Sequence, residues 1–429
     1  MGNMVMAAPP ATVVTVRVLY EPERDRPRPA VPLGNEPFAV GRSTKGTQLA
    51  LKDPRASRTH AVLRALGPET VQVDDRSSNG TFVNGERIDG SAVVGDGDLI
   101  RLGDSFMLLR VTSTRPPRDA AVPALEGIHP AMRELRHTIS TVAPTDAKVL
   151  IIGETGTGKE LVARAIHDQS GRKGRFVAVN CGAIPESLAE SELFGHVAGA
   201  FTGARNAHDG FMRAADGGTL FLDEIGELSP ILQPKLLRAL EEQRVTPVGS
   251  TQSVGVDIRL VSATHRRLLD EVDSGTFRGD LYARLAGYIV QTLPLRDRRE
   301  DVLPLLMSAL GEGAPPLDPD LVEALLLHRF RFNVRELKEM ATQLRIDGAG
   351  APRLTRAMVA PRLETERGDV TEERAIRPKE KVKRPVPTEE ELRALVDKCD
   401  GNVSQMAREL GRSRRQVYRY LDRYAIAIP

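Results

Sequence analysis

The first quarter of the chain alternates short apolar runs with turn signals at close intervals. The signals include Asn79-Gly80, Asn84-Gly85 and Gly95-Asp96-Gly97. Many short strands at this spacing are typical of an all-β sandwich or barrel, so we predict one between residues 12 and 112. The runs expected to form strands are Val13 to Leu19, Phe38 to Val40, Ala61 to Leu66, Val71 to Val73, Thr81 to Val83, Leu99 to Leu102 and Phe106 to Val111.

The hydrophobic pattern changes twice further along the chain. From residue 125 to 363, apolar strands alternate with helical patterns, which predicts an α/β domain with a parallel sheet. From 388 to 429 the pattern predicts short helices only, broken at Gly401-Asn402. Residues 113–124 and 364–387 are rich in proline and polar residues, and each is either a mobile linker or an ordered surface loop.

Composition indicates the general class of protein but not its function. The 429 residues suffice for about three domains, and the 41% apolar and 28% charged residues are ordinary for a soluble globular protein. No run approaches the roughly 18 apolar residues that span a bilayer, and no secretory signal is evident, so we expect no membrane association. Cys181 and Cys399 lie far apart without metal-ligand spacing, which fits a reducing cytoplasm. Because the net charge is only +2, nucleic-acid binding has to be argued from local charge.

A glycine-rich loop between an apolar strand and a helical pattern indicates a phosphate site. Val149 to Ile152 leads into it, and backbone N–H groups, the helix N-terminus and a lysine would face the phosphates. The residue after the lysine is Glu instead of the usual Ser or Thr, so no hydroxyl there can bind Mg²⁺. The loop residues are Gly153, Glu154, Thr155, Gly156, Thr157, Gly158, Lys159 and Glu160.

A second apolar strand ends in two carboxylates, Asp223 and Glu224. Asp223 would hold Mg²⁺, and Glu224 would orient and polarise the water that attacks ATP. Such a pair alone is weak evidence, but about seventy residues behind a phosphate loop it indicates an ATPase.

Residues 125–363 resemble the AAA+ domain of bacterial sigma-54-dependent transcriptional activators. The Glu after the loop lysine is a trait of that family, and the hexapeptide GAFTGA is its sigma-54-contacting loop. From the residues alone, the hexapeptide could also be a tight turn with a buried Phe. Its members are Gly199, Ala200, Phe201, Thr202, Gly203 and Ala204.

The resemblance implies roles for further residues. Asn180 would pair with Glu224 and couple nucleotide state to the hexapeptide loop, and His265 would act as the first sensor. Arg278 and Arg284 match the arginine-finger segment and would reach the γ-phosphate held by a neighbouring subunit. A trans-acting finger implies a homo-oligomeric ring, which in the family is a hexamer.

The resemblance weakens at the predicted lid. Arg335 should be the second sensor, yet Arg331-Phe332 replaces the Pro-Gly of the family pattern. Since Gly permits backbone angles that Phe resists, an altered lid geometry and slow turnover are expected. The segment from Leu293 to Asp301 is also family-like, but unaided sequence predicts its arginines as solvated surface charge.

The predicted β-domain resembles a forkhead-associated (FHA) domain, a module that binds phosphothreonine peptides. The resemblance rests on Gly41-Arg42, on Ser57 to Ala61 and on Ser77 to Gly85. Two arginines and a serine hydroxyl suit a dianionic phosphate. The implied phosphothreonine-binding residues are Arg42, Ser57, Arg58, Ser78 and Asn79. Gly41, His60 and Gly80 are expected to shape the loops.

The C-terminal block resembles the Fis-type helix-turn-helix that ends sigma-54 activators. Residues 412–423 hold five arginines and one acid, Asp422, which gives a local charge of +4. This is the basic patch expected of a reader of double-stranded DNA, although a small protein-binding bundle is the alternative. The candidate DNA contacts are Arg412, Ser413, Arg414, Arg415, Gln416 and Arg419. Leu392, Leu395 and Val396 are expected on one apolar face of the first helix.

Together these features predict a cytoplasmic sigma-54-dependent activator. It would bind upstream DNA, recognise phosphothreonine through its FHA domain, and hydrolyse ATP with Mg²⁺ as a ring that remodels sigma-54 RNA polymerase holoenzyme. Two alternatives remain open: an ATP-driven remodeller of another client, and a non-hydrolysing scaffold for phosphopeptide and DNA.

Overall fold

The computed structural model describes residues 12–22, 27–114 and 117–363, together with scattered positions between 392 and 426. The chain divides after Leu363 into two compact units. In the second unit Leu392 and Val396 are helical and buried, as predicted, whereas Leu395 lies outside the described residues. The candidate DNA contacts between Arg412 and Arg419 also lie outside them. The helices that the structure describes are all too short or too polar to traverse a lipid bilayer.

The N-terminal part of the first unit is a β-sandwich, which confirms the predicted all-β class. One sheet has the strand order β2-β1-β11-β10-β7-β8 and the other β4-β3-β5-β6-β9. Pairing is antiparallel except between β3 and β4. The strands are β1 Thr12–Tyr20, β2 Val31–Pro32, β3 Phe38–Gly41, β4 Leu49–Ala50, β5 Ala61–Ala65, β6 Val71–Asp75, β7 Thr81–Val83, β8 Glu86–Arg87, β9 Ser91–Val94, β10 Leu99–Leu102 and β11 Ser105–Ser113.

The strands missed by the sequence prediction are β2, β4, β8 and β9. Three of them have only two residues, and β9 begins with Ser91 and Ala92, so none carries a distinct apolar alternation. Tertiary pairing with longer neighbours decides them.

Hairpin β10–β11 is apolar on both faces. Ile100, Met107 and Leu109 point into the core between the two sheets. Phe106 and Leu108, which alternate with them, belong instead to a core formed with the helices around residues 302–344. A strand pair buried on both faces has no use for polar alternation, which explains the unbroken apolar run from Phe106 to Leu109.

The rest of the first unit is the predicted α/β domain. Its parallel sheet has the order β13-β14-β17-β12-β18. The strands are β12 Val149–Ile152, β13 Phe176–Asn180, β14 Thr219–Asp223, β15 Arg244–Val245, β16 Val254–Gly255, β17 Arg259–Thr264 and β18 Tyr288–Gln291. The helices are α1 Pro130–Val142, α2 Lys159–Asp168, α3 Glu186–Phe194, α4 Gly210–Ala214, α5 Leu232–Glu242, α6 Leu268–Asp273, α7 Gly279–Leu285, α8 Val302–Leu310, α9 Pro319–Leu327 and α10 Asn333–Asp347.

Helices α8 to α10 form a small lid whose apolar residues pack on one another and on the sandwich. Helix α9 begins at Pro319, where Asp318 caps it by accepting a hydrogen bond from the Asp320 N–H at 3.0 Å. Four short 3₁₀ turns accompany the helices in this described part of the chain, at Ile225–Glu227, Leu295–Asp297, Arg299–Asp301 and Arg356–Val359.

The connector predicted at 113–124 is ordered over residues 117–124. Val122 is buried, Arg136 of α1 bonds both carboxylate oxygens of Asp119, and the Arg118 N–H donates to Glu134. Of the two interpretations of this stretch, the ordered surface loop therefore fits its described part.

Truncation of the shared core should destabilise sandwich and lid together. For Phe106→Ala we expect a loss of about 3–5 kcal/mol of unfolding free energy, because a fully buried ring leaves a cavity. Urea unfolding measures the loss, and hydrogen exchange should quicken in both β11 and α9. Leu66→Ala, at an exposed leucine, is the control. An unchanged unfolding midpoint for Phe106→Ala would contradict the shared core.

Candidate nucleotide site and recognition loops

The phosphate loop lies between β12 and α2, as predicted. Gly156 and Gly158 have φ of 80° and 101°, in the left-handed region that favours glycine. Helix α2 begins at Lys159, whose Nζ donates to the carbonyl oxygen of Gly153 at 2.9 Å. A Cβ at Gly153 would lie 1.9 Å from the Thr292 Oγ1, so close packing also requires glycine there.

The two predicted carboxylates stand at the end of β14 beside this loop. Burial and the charge of Glu224 raise the pKa of Asp223, despite the opposing charge of Lys159. Burial alone would raise the pKa of Glu224, but the hydrogen bond from His265 and the charge of Lys159 outweigh it and lower that pKa. Lys159 Nζ lies 3.3 Å from Glu224 Oε1, and His265 Nδ1 lies 2.7 Å from Oε2. Glu224 is therefore ionised and held from two sides.

The expected pairing of Asn180 with Glu224 is not found in the described structure. Asn180 stands beside Asp223 in the strand register, but its Oδ1 accepts the Gly182 N–H at 3.0 Å. The Glu224 carboxylate instead contacts Lys159 and His265, and the Glu224 backbone has a left-handed φ of 50°. His265 thus makes the contact with Glu224 that was expected of Asn180.

Cys181, next to Asn180 in sequence, is buried. Burial, together with the nearby charges of Asp223 and Glu224, raises its pKa to about 12. The thiol is therefore protonated at neutral pH, which does not suit a nucleophile.

The lid closes on the phosphate loop through the altered turn before Arg335. A Cβ at Gly156 would lie 2.0 Å from the carbonyl oxygen of Phe332, and the Val334 N–H donates to the Gly156 carbonyl at 3.0 Å. The expected strain at Phe332 is absent, because its φ of −104° and ψ of 20° suit any L-residue. The positive φ values fall on Phe330 and Asn333 instead.

The arginines after Pro294 are not the solvated charges that unaided sequence predicts. Arg298 is 2% exposed, and Arg296 forms a two-pronged ion pair with Glu154 of the phosphate loop, at 2.7 and 2.5 Å. The hydrogen bonds from Arg296 lower the pKa of Glu154. Asn333 Nδ2 donates to the Thr155 carbonyl at 3.0 Å, and its Oδ1 accepts the Leu295 N–H at 2.7 Å. Since these partners lie far apart in sequence, no local sequence pattern predicts this network of hydrogen bonds and ion pairs.

Two adjoining cavities lie between this loop and the lid. The first, of about 520 Å³, is lined by Thr155, Gly156, Gly158, Lys159, Glu160, Leu161, Asp223, Glu224, Val334, Arg335, Lys338, Glu339 and Thr342. The second, of about 200 Å³, shares some of these walls and adds Leu125, Met132, Arg298, Leu305 and Ala309. A polar chamber with carboxylates and a lysine thus opens beside a more apolar one.

The two predicted finger arginines do not line these cavities. Arg278 precedes α7 and pairs with Asp280 at 2.7 Å, whereas Arg284 donates to the Leu240 carbonyl at 3.5 Å. Half of the Arg278 side chain is exposed, so it is available to a neighbouring molecule.

The GAFTGA segment is a narrow loop with an exposed aromatic tip. The Gly199 N–H donates to the Ala204 carbonyl at 2.7 Å, and Gly199 and Gly203 have φ of 81° and 105°. Phe201 is 41% exposed, with its ring edge-on to His196 at 5.0 Å. The alternative of a tight turn that buries Phe201 is thus not what the structure has.

The predicted phosphothreonine residues meet on three adjacent loops of the sandwich. The Arg42 N–H donates to the Ser57 carbonyl at 2.9 Å, and Ser57 Oγ lies 3.4 Å from Ser78 Oγ. Asn79 Nδ2 donates to the Arg55 carbonyl at 3.0 Å, and the Arg42 and Arg58 side chains are exposed. The loops therefore present two cations and two hydroxyls on one surface.

His60, Gly41 and Gly80 hold these loops together. The buried His60 ring accepts the Ser57 N–H at Nδ1, 3.0 Å away, and its Nε2 lies 3.3 Å from the Gly80 carbonyl. Burial lowers the pKa of His60 and favours this neutral form. A Cβ at Gly41 would lie 2.3 Å from the Arg58 carbonyl oxygen.

The fold and site define an AAA+ domain with a phosphate-binding loop, and comparison with known proteins gives the family. Family models match residues 38–103 as an FHA domain, 125–291 as a sigma-54 interaction domain and 390–424 as a bacterial regulatory protein of the Fis family. The transcriptional regulatory protein ZraR of Klebsiella oxytoca is 42% identical over 313 residues, which cover 71% of this chain and 70% of that protein. The chain belongs to the sigma-54-dependent transcriptional regulators.

Other similar proteins agree with this membership. The response regulator protein PilR of Pseudomonas aeruginosa is 50% identical over 225 residues, half of each chain. Among solved structures, NtrX from Brucella abortus in complex with ATP is 33% identical with a TM-score of 0.52, covering 73% of this chain and 71% of that one.

The contact between Gly156 and Phe332 should be sensitive to a single methyl group. We expect Gly156→Ala to lose nucleotide binding, because the added Cβ both clashes with the Phe332 carbonyl and resists positive φ. Titration with a fluorescent ATP analogue measures the loss. Gly34→Ala, where a Cβ meets nothing within 4 Å, is the control. Wild-type affinity in Gly156→Ala would mean that the lid does not close on this loop.

Proposed function

We propose that the protein is an ATP-driven activator of sigma-54 RNA polymerase whose input is a phosphothreonine peptide. The observation that carries the proposal is the pairing of a nucleotide-type site with an exposed aromatic loop on the same α/β domain. Membership of the sigma-54 regulators supports the client, and the ATP complex of NtrX supports the nucleotide.

The cavity walls suit the parts of ATP. In this proposal the backbone N–H groups of residues 153–158 and the Lys159 ammonium bind the phosphates. Arg335 reaches them from the lid, and the base occupies the more apolar chamber near Leu125 and Leu305. Lys159 now contacts Glu224, so phosphate binding would withdraw that cation and leave Glu224 on His265 alone.

A magnesium ion fits the same site with a small share of protein ligands. The described residues contain no cluster of three or more His, Cys, Asp or Glu side chains suited to a metal. Mg²⁺ usually takes one or two carboxylates and completes its shell with phosphates and water, a pattern that Asp223 can serve. The raised pKa of Asp223 reflects its burial and the negative charge of Glu224, and a bound cation would offset both by favouring the ionised carboxylate. Bound there, the ion would neutralise charge on the phosphates.

Hydrolysis in this proposal uses Glu224 to orient the attacking water. Its lowered pKa keeps it ionised at neutral pH, which suits a hydrogen-bond acceptor for water. Arg278 and Arg284, outside the cavity of their own chain, would complete the site of a neighbouring subunit in a hexameric ring.

In this proposal the remaining surfaces bind sigma-54, a phosphothreonine peptide and DNA. The exposed Phe201 would contact sigma-54 from each subunit, and the loops at Arg42, Ser57, Arg58, Ser78 and Asn79 would bind phosphothreonine. The Fis-type segment would bind upstream double-stranded DNA through Arg412, Ser413, Arg414, Arg415, Gln416 and Arg419.

Open-complex formation by sigma-54 holoenzyme separates the motor from its client contact. We expect Phe201→Ala to bind ATP but to form no open complex, because the exposed ring is the proposed contact. Glu224→Gln should also bind ATP yet hydrolyse it roughly 10²–10⁴-fold more slowly, since it lacks the carboxylate that orients water. ATP turnover and promoter opening on the same template are the two measurements.

The two variants also distinguish the alternatives. Full promoter opening by Phe201→Ala would exclude the hexapeptide as the contact and favour another client. Undiminished turnover by Glu224→Gln would remove its assigned role, and a wild type that binds ATP without any turnover would identify a scaffold.

The phosphothreonine proposal predicts a strong loss of peptide binding in Arg42→Ala. Removal of a charge-assisted hydrogen bond costs about 1.5–3 kcal/mol, which corresponds to an affinity roughly 10- to 100-fold weaker. Calorimetry with phosphorylated and unphosphorylated forms of one threonine peptide tests this. Arg64→Ala, which breaks a pair with Asp74 elsewhere in the sandwich, is the control. Equal affinity of Arg42→Ala and wild type would overturn the assignment.

A further inference from the structure

Hairpin β10–β11 of the sandwich presents a mixed apolar and basic face to the lid. Leu99, Phe106 and Leu108 on this face are at most 1% exposed and pack in the lid core. Arg101 and Arg110 lie on the same face, each two residues beyond one of these apolar side chains. Arg101 makes an ion pair with α9, and Arg110 makes one with the segment before α8. The sandwich is thus joined to the lid by a desolvated interface.

The two-pronged polar contact in this interface is the pair Arg110–Glu300. Arg110 Nε and Nη2 donate to the two Glu300 oxygens at 2.9 and 2.7 Å, and the Glu300 side chain is 2% exposed. Burial would raise the pKa of Glu300, but the hydrogen bonds and charge of Arg110 outweigh it and lower that pKa. Arg110 Nη2 also donates to the Asp297 carbonyl at 2.8 Å. One guanidinium therefore donates hydrogen bonds to two residues of the segment 295–301, which we call the clamp segment.

The opposite side of the clamp segment holds the nucleotide site. Arg296 pairs with Glu154 of the phosphate loop, and the Leu295 N–H donates to Asn333, which itself bonds the Thr155 carbonyl. Arg298 lines the more apolar chamber. Seven consecutive residues thus contact the sandwich on one side and the phosphate loop on the other.

The same hairpin also reaches the proposed phosphothreonine loops. The buried carboxylate of Asp53 accepts hydrogen bonds from the Asp104 N–H at 2.7 Å and the Ser105 hydroxyl at 2.8 Å in the turn of the hairpin. The adjacent Arg55 provides the carbonyl that Asn79 contacts. Packed contacts therefore run from the loop that carries Ser57 and Arg58, through the hairpin, to the clamp segment.

We propose that Arg110, a residue of the β-sandwich, is a positioning residue of the nucleotide site. It fixes the clamp segment through Glu300 and the Asp297 carbonyl, and the clamp segment in turn orients Glu154 and the cavity wall at Arg298. The inference rests on the proposed ATPase function. It adds that nucleotide affinity depends on contacts outside the motor domain.

The test compares Arg110→Gln, Glu300→Gln and the double variant in the full chain, with steady-state ATPase assays and titration of a fluorescent ATP analogue. Arg110→Gln leaves Glu300 buried without its cation, so the clamp segment should shift and the KM for ATP should rise about tenfold, with kcat less affected. Glu300→Gln should have a milder effect, because Arg110 also contacts Asp96. The double variant should recover most of the affinity, since neither charge is then buried alone.

Control variants separate positioning from stability. Arg64→Gln breaks an ion pair inside the sandwich and should leave the KM unchanged. Arg110→Lys, which keeps the charge but loses the two-pronged geometry, should be intermediate and serves if Arg110→Gln does not fold. A lowered melting temperature with a wild-type KM in both Arg110 variants would reduce Arg110 to a structural role and overturn the proposal.

A phosphothreonine peptide extends the same test to the input. When it binds the wild type, the Kd of the ATP analogue should change, and ATP should change the peptide affinity by the same factor. Arg110→Gln should lose this change. Peptide binding without any effect on the Kd would overturn the coupling. No peptide binding at all would instead refute the proposed FHA input, while the KM comparison still decides the role of Arg110.

Discussion

The burial of hairpin β10–β11 on both faces is the constraint on which the first unit depends. One face closes the sandwich core, and the other completes the core of the lid. If either neighbour were removed, the apolar side chains on one face of the hairpin would be exposed to water, which is unfavourable. The sandwich and the lid therefore have to fold against each other. The sandwich is accordingly packed into the α/β unit instead of being attached to it by a free linker.

The nucleotide site is likewise built from elements that are separate in sequence. The phosphate loop supplies glycines whose missing side chains admit Thr292 and Phe332, and the lid supplies Asn333 and Arg335. The clamp segment then joins that loop to the sandwich through the partly exposed pair Arg296–Glu154 and the largely buried pair Arg110–Glu300. Since an unpaired buried charge is costly, the buried pair fixes a geometry more firmly than surface ion pairs do.

Much of the candidate site could be predicted because its residues are contiguous in sequence. A strand followed by GETGTGKE, a strand ending in Asp223-Glu224 and the hexapeptide around Phe201 are local patterns whose geometry follows from backbone chemistry. The partner of Glu224 could not be predicted in this way. Asn180 ends β13 and His265 follows the end of β17, so both lie near Glu224, but only the tertiary structure shows that His265 makes the contact. The replacement of a lid glycine by Phe332 looked costly in sequence, yet neighbouring residues carry the positive φ values.

The sequence by itself determined the order of the three matched regions, the α/β and all-β classes and the phosphate loop. These depend on local periodicity, glycine conformations and short motifs, which are written along the chain. The tertiary structure alone decided that Arg298 is buried, that Arg296 meets Glu154 and that Arg110 meets Glu300, 190 residues away. An arginine in the sequence can be either solvated or paired, and the sequence does not show which. The fold decides this, because it brings distant carboxylates beside the arginine and excludes water.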